Sequence, residues 1–212
     1  MHTAKSQKGR VMKTGSDNED LRIKKTKRAV KEAFYSLLSA KDFEKISVKD
    51  ISDRAMISRN TFYLHYSDKY DLLNHICDEL CRALYIKLST QLQRAQSAEI
   101  NIDNVSYIIM DGINEIIQNR EKYHILFAGS SRDVLVSKLH ELARRVFMEI
   151  GPEKYGIDGC SMEYICAGMT GVIKYFVDND AYDLREQSYN FTRIHLGSII
   201  KISEQRKEYE NK

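Results

Sequence analysis

Ser47–Leu72, SVKDISDRAMISRNTFYLHYSDKYDL, reads as two short helices around a tight turn, followed by an aromatic-rich stop and a fresh helix start. Val48, Ile51 and Ala55 recur at helical spacing, and Ile57 and Phe62 continue the apolar set beyond the turn. Polar and charged residues fill the positions between, so the pair buries one face and presents the other. Ser47 and Asp50 make an S-x-x-D capping box before the first helix, and Ser58 is placed to cap the second. The unit is a helix-turn-helix candidate.

Working outward, the 212 residues are enough to bury a core without metal or disulfide support. The chain has a single proline, Pro152, and no tryptophan. Period-two alternation bounded by turns is missing, whereas several segments carry apolar residues three and four apart. An all-α fold follows. Cys77, Cys81, Cys160 and Cys166 all fall inside helical patterns, and the sequence shows neither a signal-peptide apolar region nor a run of membrane-spanning length. The expectation is a cytoplasmic protein with reduced thiols and no membrane partner.

The net charge of +3 hides an uneven distribution. Residues 1–31 hold ten Lys/Arg against three acids, while residues 32–70 balance at six and six. The excess belongs to the N-terminal tail and the start of the first helix. A basic tail alone is commonly a solvated arm; beside a helix-turn-helix it is the electrostatic footprint of phosphate contact.

Along the chain, residues 1–20 lack apolar periodicity and read as a mobile basic tail. Residues 21–70 form a three-helix reading domain, whose first helix, about Ile23 to Ala40, lays Val30, Ala33, Phe34, Leu37 and Leu38 over the helix-turn-helix. Residues 71–212 form a larger helical bundle for sensing and dimerisation, giving about nine helices in total. A long fourth helix starting at Ser67–Asp68 bridges the two. A fifth opens at Asn101 or Asp103, and a short one follows near Glu121–Phe127. Another spans Ser131–Glu149 and stops at Gly151–Pro152. The last two run from Ser161 to Val177 and, after Asp178-Asn179-Asp180, from Leu184 to Ser203. Ala167, Gly168 and Gly171 thin the former so that another helix can approach.

Ile51, Ala55, Ile57, Ser58, Thr61, Phe62, Tyr63, His65, Tyr66, Lys69 and Leu72 together resemble the DNA-binding signature of the TetR family of bacterial transcription regulators. The match covers roughly a quarter of the chain, counting the first helix. One position departs: the turn residue usually filled by glycine is Met56. If it needs a positive φ, the side chain costs about 1 kcal/mol or somewhat more, so a slightly different turn is expected. The resemblance implies a homodimer clasped through its last two helices, reading a palindromic operator in double-stranded DNA with half-sites about 34 to 36 Å apart. It also implies repression relieved by a small-molecule effector that binds two states unequally. An alternative is an adaptor or coactivator, since some proteins resembling the FYxHYxDKYDLL stretch use the C-terminal domain to bind a protein partner.

Helix 3 is short, so its N-terminal half and exposed face meet base edges. Arg59, Asn60 and Leu64 are the exposed candidates: Arg59 suits guanine O6/N7 and Asn60 adenine N6/N7. Thr61, Tyr63 and His65 match family positions that contact backbone or bases. Lys69, in the first turn of helix 4, is expected to hold a phosphate with the free helix amides, so Lys69→Ala should lower the salt slope by about one unit. Ser47 and Ser58 belong to the same DNA-contacting set, and Lys49 joins it if it points outward. Phe62 and Tyr66 read as core.

For the effector, Tyr107, Met110, Phe127, Phe147, Met169 and Tyr175 are the candidate pocket lining, although such residues at helical spacing ordinarily fill cores. His75, Cys77 and Cys81 stand within two helical turns but offer no fourth ligand, so no metal is assigned. Neither G-x-S-x-G, G-x-G-x-x-G nor a P-loop occurs, and neither a cofactor nor enzymatic activity is expected.

Overall fold

Helical periodicity becomes nine α-helices and two 3-10 turns among the described residues, with no strand. The computed structural model of the chain describes residues 15–95, 102–151, 157–179 and 184–195. The expected tail over 1–14, the helix start at Asn101, the stop at Pro152, the break at Asp180 and the last helix beyond His195 lie outside them.

The N-terminal helices are α1 (Gly15–Leu38), α2 (Val48–Arg54) and α3 (Arg59–Tyr63), with a 3-10 turn at Phe43–Lys45. The helix α1 begins two turns earlier than Ile23, so residues 15–20 are helical and not part of the expected tail. Glu19 and Asp20 explain this. Acidic residues near a helix N-terminus offset the positive end of its dipole, and Asp20 pairs with Lys24 at 2.8 Å, one turn on. Apolar spacing could not mark that start, because residues 15–20 carry no apolar side chain.

The larger bundle comprises α4 (Lys69–Ala95), α5 (Ile102–Gln118), α6 (Arg120–Phe127), a 3-10 turn at Gly129–Ser131, α7 (Arg132–Ile150), α8 (Gly159–Asp178) and α9 (Leu184–His195). Gly151, at φ 75°, closes α7 in the left-handed conformation that glycine adopts without a Cβ penalty. Asp158 caps α8 by accepting from the Ser161 amide at 2.7 Å.

One apolar core runs from Val30, Phe34, Ile51 and Phe62 through Leu72, Leu73 and Ile76 to Tyr123, Leu126, Leu135 and Leu139. The long α4 is its spine, with α5 and α7 packed along it. A smaller cluster, Ala143, Phe147, Met162, Ile165 and Cys166, joins α7 to α8. Reader and bundle also meet away from α4. The Ser130 hydroxyl donates to Asp42 at 2.7 Å, and α1 touches α6. No described helix is long and apolar enough to cross a membrane.

Candidate nucleic-acid interface

The reading unit is held by its caps. Ser47 Oγ accepts from the Asp50 amide at 3.1 Å while Asp50 Oδ2 accepts from the Ser47 amide at 2.8 Å, the reciprocal pair the spacing foretold. Lys41 adds an ion pair at 3.0 Å. The Ser47 amide and hydroxyl bonds, with Lys41 behind them, hold the Asp50 carboxyl down at about 2. Ser58 Oγ accepts from the Thr61 amide at 3.0 Å and lies 2.9 Å from the Thr61 hydroxyl, fixing the start of α3.

Between the caps, Met56 takes φ 55°. The turn therefore keeps the left-handed conformation suited to glycine, and the expectation of an altered turn is corrected. The side chain is 91 % exposed, so what resists it is the local Cβ strain of about 1–2 kcal/mol and no neighbour.

Phe62, fully buried, anchors α3 with the tilted Tyr66 ring 5.6 Å away. Burial pushes the Tyr66 phenol up to about 12, so both aromatics are core. The opposite face carries Asn60 and Leu64, one turn apart, since the Leu64 amide donates to the Asn60 carbonyl at 3.1 Å. Leu64 is 80 % exposed and Tyr63 54 %, with the Tyr63 ring packed edge-on against Phe62 at 5.7 Å. Lys49, Arg59 and Asn60 are exposed, and their side chains make no hydrogen bond or ion pair among the described residues. The expected contact set thus divides. Ser47, Ser58 and Thr61 use their hydroxyls to build the helices, whereas Lys49, Arg59, Asn60, Tyr63 and Leu64 are open for a ligand. His65 is half-buried, its ring 6.5 Å from that of Tyr66.

Lys69 departs most from expectation. Its ammonium donates to the Phe43 and Glu44 carbonyls, each at 3.0 Å, and lies 4.6 Å from the centre of the Phe43 ring. Glu44 Oε2 is 3.7 Å away, and the lysine side chain is 14 % exposed. It clamps the 43–45 turn to the start of α4, committing two of its three N–H donors to carbonyls. The partners lie 25 and 26 residues upstream, beyond the reach of any local pattern. Unpaired basic charge instead stands on α1, where exposed Arg22 and Lys25 make no ion pair among the described residues.

The six expected pocket residues do not converge. Phe127 belongs to the main core, and Phe147 and Met169 to the smaller cluster. Met110 is half-buried on α5, while Tyr107 and Tyr175 are about half exposed. An open depression on α7, lined by Asp133, Val136, Ser137, His140, Glu141 and Arg144, includes none of them. Burial pushes the Cys77 and Cys81 thiols up to about 12, so they stay protonated and behave as small hydrophobes.

Residues 32–76 match the sequence model of the bacterial regulatory proteins, tetR family. A curated relative, the uncharacterized HTH-type transcriptional regulator YxbF of Bacillus subtilis (strain 168), is 25 % identical over 119 residues, or 52 % of this chain. The match spans 31 % of that protein's length. Among solved structures, the fatty acid degradation regulator FadR of Bacillus halodurans superposes with a TM-score of 0.58 at 17 % identity. It covers 82 % of this chain and 94 % of its own. The TetR family repressor AlkX of Dietzia sp. strain DQ12-45-1b gives 0.51 at 14 % identity, covering 82 % and 95 %. At these identities the structural likeness concerns the fold.

Proposed function

On the match of residues 32–76 to the sequence model of the tetR family of bacterial regulatory proteins, we propose a homodimeric, DNA-binding transcriptional repressor, released from a palindromic operator by an effector. The observation that carries this reading is the open face of α3. Arg59, Asn60, Tyr63 and Leu64 project from a scaffold that caps and a buried Phe62 hold rigid. An element only five residues long reaches base edges if it lies end-on or slantwise in a major groove. Lys49, with Arg22 and Lys25 of α1, supplies the phosphate contacts that set register.

The dimer is proposed through α8 and α9. Tyr164, Ala167, Gly171 and Tyr175 lie on one exposed stripe of α8, and a Cβ built on Gly171 meets nothing within 4 Å. Ile194 of α9 is 62 % exposed. A second copy covering this stripe supports the two-fold pairing that a palindrome requires. The effector's site is proposed within the bundle of α4–α9, apart from the reading helices. Effector binding changes operator affinity only insofar as it favours one setting of the reader against the bundle.

The test is sedimentation of the full chain alone and with duplex DNA at low salt. A dimer that binds one duplex, with affinity falling steeply as salt rises, is the expected result. A monomer, or a dimer that ignores DNA, overturns it.

A further inference from the structure

The two most exposed large apolar side chains among the described residues, Met56 at 91 % and Leu64 at 80 %, both belong to the helix-turn-helix. Single exposed leucines are common and ordinarily mean nothing. Leu64 differs in its placement. It stands one helical turn from Asn60, on the side of α3 opposite the fully buried Phe62, and next to the half-exposed Tyr63. Residues so related have Cβ atoms about 5–6 Å apart. Successive bases along a strand are about 3.4 Å apart. An asparagine and a leucine on this face therefore span one to two base steps. In the major groove an asparagine pairs with adenine N6 and N7, and the apolar group offered there is the thymine 5-methyl.

We propose that Leu64 reads the 5-methyl group of a thymine within two base steps of the adenine bound by Asn60, making these two residues a composite A·T-selecting element in each half-site. The proposal rests on the DNA-binding reading above and sharpens it to a base and a functional group. Burying one methyl changes affinity about fourfold, and Leu64 adds this preference while Lys49 and the α1 cations act on any sequence.

The experiment uses the full chain and the duplex it enriches from a random pool. Each thymidine is replaced in turn by deoxyuridine, which removes only the 5-methyl group, and the Kd is read by fluorescence anisotropy at fixed salt. Wild-type protein should lose about fourfold in affinity at one thymidine per half-site, within two steps of an adenine. Leu64→Ala should bind the dT and dU duplexes equally while keeping its preference for that adenine. Asn60→Ala should lose the adenine preference and keep the sensitivity to deoxyuridine. A wild type indifferent to every dT→dU replacement, a Leu64→Ala protein as sensitive as wild type, or an enriched site lacking thymine overturns the proposal and leaves DNA binding standing. Failure to bind any duplex at low salt overturns both.

Discussion

Replacing Lys69 with alanine removes an ammonium that donates to two carbonyls, Phe43 and Glu44, each at 3.0 Å. A hydrogen bond from a charged donor contributes about 1.5–3 kcal/mol, and here one ammonium divides its charge between two acceptors. With the side chain 14 % exposed, the two together are worth about 2–3 kcal/mol. The contact with the Phe43 ring, 4.6 Å from its centre, adds about 0.5–1 kcal/mol. The 3.7 Å pair with Glu44, whose side chain is 58 % exposed, adds a few tenths at most. Lys69→Ala should therefore destabilise the protein by about 2–4 kcal/mol in urea denaturation followed by circular dichroism. The salt dependence of duplex binding, measured where the variant stays folded, should keep its slope, because no phosphate contact is lost. A variant as stable as wild type whose slope falls by about 0.9 would refute the clamp and restore Lys69 to the phosphate set.

Met56→Gly should relieve the left-handed strain at φ 55° and stabilise the protein by about 0.5–1 kcal/mol, after allowing for the extra freedom of glycine in the unfolded chain; a lower urea midpoint contradicts this. Gly129→Ala places a Cβ 2.9 Å from Asp42 Oδ2 at φ +61°, so a loss of about 1–2 kcal/mol in urea denaturation is expected, and no change counts against the 42–130 contact. Asp50 has its folded carboxyl lowered from 3.8 to about 2, so its stabilising effect is present above the ordinary carboxylate range and fades as pH falls through about 2. The stability gap between wild type and Asp50→Asn should accordingly shrink on acidification from neutral pH. A gap that widens reverses the sign assigned to the cap.

Helix identities were legible because their causes are local. The Ser47–Asp50 capping box, Ser58, and the spacing of Val48, Ile51, Ala55 and Phe62 act within one or two turns, and α2 and α3 begin where those residues place them. The start of α1 was hidden because Gly15 to Arg22 carries no apolar stripe; charge arrangement extends the helix there. The clamp made by Lys69 escapes sequence reasoning for the opposite reason. Its position in the first turn of α4 suits an anion, but the partners that claim it arrive by tertiary folding from the 43–45 turn. Ser130 and Asp42 are 88 residues apart, so nothing in the linear pattern announces that the α6–α7 corner touches the reader. The candidate pocket suffered similarly: helical spacing marks Tyr107 and Phe127 alike as apolar, and only packing separates a half-exposed ring from a buried one. Within the contact set, the same hydroxyl chemistry that suits phosphate also caps helices, and Ser47 and Ser58 do the latter.

Selection of bound duplexes by the full chain from a random pool tests the central claim most directly, since two reading heads related by a dyad leave a symmetric imprint. The account predicts an inverted repeat with half-site centres about 34–36 Å apart, an adenine and a thymine within two steps in each arm, and loss of enrichment for Arg59→Ala. A pool that stays unenriched, or that converges on a single asymmetric site, contradicts it.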